Sequence, residues 1–369
     1  MDSSVVKRVA IDCFSGAGGL ALGLQRAGFD VRAAFDADAL AVETYRRNLG
    51  GHAFVSRSED LCGSDLLRAA GISEGECDLV VGGPPCQGFS RQRRGVDADS
   101  RNALVLDFFR LVAEVRPTFF LMENVSAIGG RRGKQVLGEL SMRASAAGYV
   151  VRALVLDAAE YGVPQHRKRM FIVGERDTVE PTFRFPKPTH SEANFVTVRG
   201  AIADLPKPSR DAASGTIANH EPDNISELNR RRIAFVPQGG GRDYIPEELR
   251  LPCHKASSDE IGHRNVYGRL HWDKPAGTIT TKCNSFTRGM FAHPEENRNI
   301  SMREAARLQS FPDTFVFTGD KVAVAHQIGN AVPPVLSETI GRSLFVALGA
   351  RQARSRATVS REPEIELRV

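Results

Sequence analysis

The sequence predicts an α/β protein: a doubly wound, mostly parallel sheet with a second, smaller domain. Three observations carry that expectation. Short apolar runs alternate with helical spacing through the first half, a glycine-rich turn follows the first of these runs, and the texture becomes Pro-rich and irregular around Glu180. Val5 to Ile11, Val31 to Phe35, Asp78 to Val81, Thr118 to Met122, Val150 to Leu156 and Met170 to Val173 read as strands. Between them, Gly19 to Ala27, Ala37 to Asn48, Asn102 to Val115 and Gly133 to Ala147 place Leu, Ala, Phe and Val at helical intervals. Five prolines (Pro181, Pro186, Pro188, Pro206, Pro208), a triple arginine at Arg230 to Arg232 and a triple glycine at Gly239 to Gly241 mark a stretch with few clean periodicities. The smaller domain is expected there, as far as about Phe317. A last helix spans about Leu336 to Leu348, and the charged, Ser/Arg/Glu-rich residues 350–369 have little to bury and are expected to be disordered.

With 369 residues, 41% of them hydrophobic, the chain can supply a sizeable core and fold without staples. Six cysteines (Cys13, Cys62, Cys77, Cys86, Cys253, Cys283) form no CxxC pair, and no charged-then-apolar leader precedes them. The expectation is reduced thiols in a cytoplasm rather than a disulfide framework or export. No apolar run approaches the roughly 20 residues that cross a bilayer. The 49 basic residues exceed the 44 acidic ones by 5, and a pI near 9.0 leans mildly towards nucleic acid as partner.

The chemistry begins at the first strand end. Asp12-Cys13-Phe14-Ser15-Gly16-Ala17-Gly18-Gly19 leads from a strand into a helix, where a doubly wound fold places a ligand. Asp36, twenty residues past Gly16, ends the next strand in position to accept hydrogen bonds from ribose hydroxyls. A dinucleotide fingerprint would need a third glycine where Ala21 stands, so NAD is the lesser reading of this turn. Gly82 to Ser90 read GGPPCQGFS: Cys86 follows two prolines that fix the backbone, precedes a glycine, and lies just beyond a strand. Its reactivity requires the thiolate, which nearby cations favour, and Arg167 and Arg169 in Gln165-His166-Arg167-Lys168-Arg169 are the candidates. Glu123 lies thirty-seven residues past Cys86 and directly after Phe119-Phe120-Leu121-Met122. A carboxyl at the edge of such a core tends to a raised pKa and suits a general acid.

Taken together and in order, these motifs resemble the DNA (cytosine-5)-methyltransferase family, of the bacterial restriction-modification type, over nearly the whole chain. Asp12 to Gly19 resembles its S-adenosylmethionine motif, Pro84-Pro85-Cys86-Gln87 its nucleophile motif, Glu123-Asn124-Val125 its acid motif and Gln165-x-Arg167-x-Arg169 its arginine motif. Arg303-Glu304-Ala305-Ala306-Arg307-Leu308-Gln309-Ser310-Phe311-Pro312 and Gly329-Asn330-Ala331-Val332-Pro333-Pro334 are similar to the last two. The resemblance implies a Rossmann-like S-adenosylmethionine-dependent methyltransferase fold. Residues 1–188 plus 325–349 would form the catalytic and cofactor domain, and 189–324 a small target-recognition domain. It implies that Cys86 adds to carbon 6 of a flipped-out cytosine in double-stranded DNA, that Glu123 protonates or hydrogen-bonds ring nitrogen 3, and that Arg167 and Arg169 hold the base and neighbouring phosphate. Phe14, Gly16, Gly18, Gly19, Asp36, Asp60, Pro85, Asn330 and Val332 would hold the cofactor. Asp36 would take the ribose and Asp60 the adenine amine, with Glu59 able to replace Asp60. Gln87, Ser90, Arg91, Arg93 and Arg94 would meet DNA, the last four from a basic lid over residues 88–101. No metal is required, and a cytoplasmic, nucleoid-associated monomer is expected, with a cognate restriction endonuclease acting separately on the same site.

Recognition of the target sequence falls to the region from about His190 to Glu296, framed by Val236-Pro237-Gln238-Gly239-Gly240-Gly241 and Pro275-Ala276-Gly277-Thr278-Ile279-Thr280-Thr281. His254, His263, His271 and Cys253 fall between the frames without the paired spacing of a zinc site. Two rivals remain. One branch of the family methylates transfer RNA, faintly echoed by Cys283-Asn284-Ser285-Phe286-Thr287, and a catalytically silent DNA-binding relative would share the fold. A silent relative has no need to keep Cys86, Glu123, Arg167 and Arg169 together.

Overall fold

Every residue of the first strand, β1 (Arg8–Cys13), is buried, as expected of a strand covered on both faces. In the computed structural model, which describes residues 8–85, 99–131, 133–178, 180–210, 217–251 and 265–359, it is an interior strand of a seven-stranded sheet. The others are β2 (Phe29–Asp36), β3 (Ala53–Val55), β4 (Leu79–Gly82), β5 (Phe119–Val125), β6 (Tyr149–Asp157) and β7 (Lys168–Arg176), in the order β3-β2-β1-β4-β5-β7-β6. All run parallel except β7, which is antiparallel to both β5 and β6. The mostly parallel α/β architecture expected from the alternating pattern is the one observed.

The helices are α1 (Gly19–Arg26), α2 (Ala39–Leu49), α3 (Gly63–Ala70), α4 (Asp99–Val115), α5 (Lys134–Ala146), α6 (Val198–Ile202), α7 (Glu227–Ala234), α8 (Met302–Leu308), α9 (Lys321–Asn330) and α10 (Pro334–Val359). Alternation along the strands sends successive side chains to opposite faces. Leu79, Val81, Phe119 and Leu121 pack with Leu24 of α1, Tyr45 of α2 and Leu336, Ile340 and Leu344 of α10. Val80, Phe120 and Met122 pack with Leu66 of α3, Phe108 and Val112 of α4 and Leu140 of α5. The strands therefore read as continuous apolar runs because both faces are covered. β3 and α3 escape sequence reading: β3 has three residues, and α3 buries only Gly63, Leu66 and Ala70.

A second core gathers Val198, Ile233, Tyr267, Trp272, Ile279, Phe286, Phe311, Phe315, Phe317 and Ile328. Its backbone is largely irregular, with the short pair β8 (Gly268–Arg269) and β9 (Met290–Ala292). Irregular chain leaves buried carbonyls without a ladder, and here buried arginines take their place. Arg269 donates to the carbonyl oxygens of Val236, Ile233, His293 and Glu296 at 2.7–2.9 Å. Arg303, at 0% exposure, does the same for Ala218, Pro312 and Phe315. Glu304 pairs instead with Arg298, at 2.8 Å through each of its oxygens.

One expectation fails at the C-terminal end. α10 continues to Val359, so residues 350–359 are helical rather than disordered. Charge, not apolar burial, ties this extension down: Arg8 Nη2 donates to Gln352 Oε1 at 2.8 Å, Arg351 lies 3.6 Å from Glu175, and Arg354 Nη1 donates to the Glu180 carbonyl at 3.0 Å. Residues 360–369 lie outside the described residues. No helix among those described is long and apolar enough to cross a membrane.

The α1–α10 contact closes the chain on itself and rests on Gly23. A Cβ there would stand 2.5 Å from Pro334 O and Glu338 N. Gly23→Val is expected to destabilise by about 3 kcal/mol through overpacking against backbone, read as a lowered urea midpoint at unchanged m-value.

Candidate active site

The strand order reverses at β1 and β4: β2 and β3 extend the sheet to one side, β5 to the other. Their carboxyl ends meet in register, Cys13 opposite Gly82, and such a switch point opens a crevice beyond the strand ends. A cleft of about 920 Å³ lies there, walled by the turn after β1, the end of β2, the residues after β4, the ends of β5 and β7, and the segment between α9 and α10.

The turn after β1 holds an uncommon backbone. Phe14 has φ 55° and Gly16 φ 52°; the left-handed region is rare for a bulky side chain, so its surroundings must hold Phe14 there. They do so through the Phe14–Phe35 ring contact, with centroids 5.5 Å apart, and the Ser15 amide, which donates to the Phe35 carbonyl at 2.9 Å. The Gly16 amide donates to Asp36 Oδ2 at 2.8 Å and the Asp38 amide to Oδ1 at 2.9 Å. Burial pushes the Asp36 carboxyl up while these amides pull it down. Asp36 lines the cleft, and a carboxylate oxygen accepts more than one hydrogen bond, so both oxygens retain the capacity to accept from a vicinal diol. Ser15 and Ser58 line the same wall, and neither buried hydroxyl has a hydrogen-bond partner among the described residues. A cradle of two free hydroxyls, a carboxylate and an aromatic ring suits a nucleoside.

Reversal of β7 builds the other wall. Because it runs antiparallel, its first residues return to the edge where β5 ends, with Arg169 opposite Val125. Glu123, two residues back on β5, then lies diagonally across from Arg169 on the same face. Arg169 Nε stands 2.9 Å from Glu123 Oε1, with both side chains at most 15% exposed. Burial pushes the Glu123 carboxyl up, whereas Arg169 and, less, Arg167 pull it back. Asn124 Nδ2 donates to the Pro84 carbonyl at 3.2 Å, pinning the diproline against the acid strand. Pro85 lines the cleft, and Cys86, Gln87, Ser90, Arg91, Arg93 and Arg94 lie outside the described residues.

Arg167 behaves differently from Arg169. It is 1% exposed; Nη1 donates to Ile279 O at 2.9 Å and Nη2 to Gly329 O and Ala331 O at 2.9 and 3.0 Å. Its Nε is buried without a hydrogen-bond partner among the described residues. Burial and the neighbouring Arg169 push this guanidinium well down, with Glu123 opposing. Gln165 beside it donates from Nε2 to Leu308 O and Gln309 Oε1 at 2.9 and 2.7 Å, and its Oε1 accepts from the Ile279 amide at 2.9 Å. Gln309 in turn donates to Ile328 O at 2.6 Å.

Of the residues singled out in the sequence, Phe14, Gly16, Gly19, Asp36, Pro85, Glu123, Arg167, Arg169, Asn330 and Val332 share the cleft wall. Gly18 instead turns the backbone at φ 96° beneath Tyr45 and Leu49. Asp60 is exposed and does not line the cleft, whereas Ser58 and Glu59 do. Sequence reading missed Ser56, Arg57, Leu104, Thr281 and His326 as wall residues. No local pattern marks them, because tertiary packing alone brings them there.

A profile of the family described as C-5 cytosine-specific DNA methylase matches residues 9–346. The chain is 40% identical over 339 residues to the type II methyltransferase M1.HphI of Haemophilus parahaemolyticus, covering 91% of this chain and 86% of that one. It is 35% identical to the type II methylase M.HgiDII of Herpetosiphon aurantiacus, covering 95% and 98%. Among solved structures, a prophage-encoded E. coli protein superimposes with a TM-score of 0.72 at 27% identity, covering 93% of this chain and 100% of that one. S. pombe Dnmt2 methyltransferase shares the fold, with a TM-score of 0.64 at 17% identity over 94% and 99% of the two chains.

The Glu123–Arg169 pair has a pH signature. Removing the guanidinium raises the folded-state pKa of Glu123 further above its unfolded value near 4.3. The cost is absent while both states are protonated, begins above the unfolded pKa, and grows until the folded carboxyl also ionises. Arg169→Ala is therefore expected to lose about 3 kcal/mol at pH 8, the scale of a broken buried pair, and distinctly less at pH 5. Urea unfolding at the two pH values measures it.

Proposed function

The chain belongs to the C-5 cytosine-specific DNA methylase family, and on that premise we propose that it transfers a methyl group from S-adenosylmethionine to carbon 5 of a cytosine flipped out of double-stranded DNA, within one short sequence. Relatives named type II methyltransferase and type II methylase support reading it as the modification enzyme of a restriction–modification system. In this reading it is a cytoplasmic monomer working on nucleoid DNA, with its endonuclease acting separately on the same site.

The observation that carries the reading is the placing of Glu123 and Arg169 beside Pro84 and Pro85, in the same crevice as the Asp36 cradle. Asp36 would accept the ribose hydroxyls of the cofactor, the Ser15 and Ser58 hydroxyls are free to bond its polar groups, and Asn330 and Val332 would close over it. When bound, the cofactor supplies an electrophilic methyl group. Carbon 5 of cytosine is a poor nucleophile, and Cys86 remedies this: its thiolate forms a bond from Sγ to carbon 6, and the electrons of the 5,6 double bond shift to carbon 5. Glu123, favoured towards its protonated form by burial, gives ring nitrogen 3 a proton or hydrogen bond so that negative charge does not accumulate during addition. Arg169 keeps that carboxyl in place and would stabilise charge on the base, while Arg167 braces the wall behind it through the carbonyls of Ile279, Gly329 and Ala331. After methyl transfer the proton on carbon 5 leaves to solvent, nitrogen 3 returns its proton to Glu123, the Sγ–carbon 6 bond breaks, and the double bond and thiolate are restored. Addition to a ring carbon is impossible inside the base stack, so the cytosine must be flipped out.

Bisulfite sequencing of plasmid DNA from a methylation-free host expressing the chain tests this directly. Protection confined to one short motif, and lost with Cys86→Ala while a gel shift on the same duplex persists, is the expected result. Unmodified DNA from soluble wild-type protein would overturn it in favour of RNA or a silent binder. Glu123→Gln is expected to lower kcat by about 10²- to 10⁴-fold at an unchanged target motif.

A further inference from the structure

We propose that Arg167 is a positioning residue that couples the cofactor cleft to the target-recognition region, so that filling either site tightens binding at the other. The inference rests on the methyltransferase reading above. Two segments distant in sequence meet at this one side chain. Ile279, whose carbonyl takes Nη1, belongs to the second core with Trp272, Tyr267 and Phe286. Gly329 and Ala331, whose carbonyls take Nη2, lead into Val332 on the cofactor wall. A guanidinium presents its donors in a rigid plane, so a shift of either segment must displace the other or break a buried hydrogen bond.

An independent feature makes the same connection through backbone alone. A Cβ on Gly329 would collide with the backbone of Thr280 and Thr281, so the two segments already touch. A Cβ on Gly19 would collide with the Val332 carbonyl, so the cofactor turn touches the same relay at its other end. The recognition side is tied to β7 as well: the His166 amide donates to Ala276 O at 2.8 Å, the Ala276 amide to Pro164 O at 2.9 Å, and Thr278 Oγ1 to His166 O at 2.8 Å. The path from Gly19 through Val332, Gly329 and Thr280 to Ile279 thus runs through backbone contact or chain continuity at each step, and Arg167 directly bonds two points on it. Ligands linked in this way must act reciprocally, each changing the other's affinity by the same factor.

The test uses the full chain with S-adenosylhomocysteine, which binds without turnover, and a duplex carrying the motif found by bisulfite sequencing. In the wild type, S-adenosylhomocysteine is expected to tighten duplex binding by about tenfold, within the usual range of coupling factors, and by itself to slow amide hydrogen exchange at residues 267–272, which belong to the second core and not to the cleft wall. Arg167→Lys keeps the positive charge but cannot bridge three carbonyls. It should still bind each ligand alone, with the coupling factor reduced to about one, an outcome that loss of stability by itself would not give. Full coupling in a folded Arg167→Lys protein overturns the proposal, and so does wild-type exchange at residues 267–272 that S-adenosylhomocysteine leaves unchanged. Should the variant not fold, the wild-type exchange decides. A chain that binds neither ligand overturns the methyltransferase reading itself, whereas one that binds both independently overturns only the coupling.

Discussion

The buried junction of Gln165, Arg167 and Gln309 is the constraint on which the rest of the structure depends. It joins the entrance of β7, the irregular segment at Ile279, the end of α8 and the end of α9 with Ala331 beyond it. None of the last three is a strand, so their carbonyls have no ladder to satisfy them, and each left orphaned in the interior would cost about 1–3 kcal/mol. One guanidinium and two amides supply the missing donors. Arg269 and Arg303 repeat the device in the second core, which lets a region poor in regular structure stay well defined.

The reversed strand β7 gives this junction its functional place. A seventh parallel strand would have delivered residues 165–169 to the opposite edge of the sheet, far from Glu123. Running antiparallel, it brings Arg169 to the acid and Arg167 to the returning C-terminal segment in the space of three residues. Residues two apart share one face of a strand, so what folding packs against each arginine, not alternation, separates their duties. Arg169 faces the cleft and pairs with a carboxylate, while Arg167 is spent mostly on backbone.

Two carboxyls in the cleft illustrate how surroundings divide roles. Burial pushes both Asp36 and Glu123 towards the protonated form. At Asp36 the counterweight is backbone amides, which hold the carboxylate as an acceptor without adding charge. At Glu123 the main counterweight is Arg169, a full charge that can also respond to a substrate. The first environment suits binding of a neutral diol, the second suits proton chemistry.

The alternating sheet and the glycine-rich turn after β1 were legible in the sequence, because each depends on local order of strand, turn and helix, whereas the pairing of Glu123 with Arg169 was not, because it needs the reversal of β7. The C-terminal extension of α10 was misread because its stabilisation is by charge at long range, through Arg8, Glu175 and Glu180, which composition does not reveal. Glu59 facing the cleft where Asp60 was expected turns on the path of one short helical turn, Ser58–Asp60, beyond the resolution of pattern. The sequence by itself therefore determined which chemical groups are present and on which strand ends they stand. Only the tertiary structure decided that Arg167 is mainly a brace and Arg169 the acid's partner, because two arginines separated by a single residue are alike in sequence and differ only in what folding places against them.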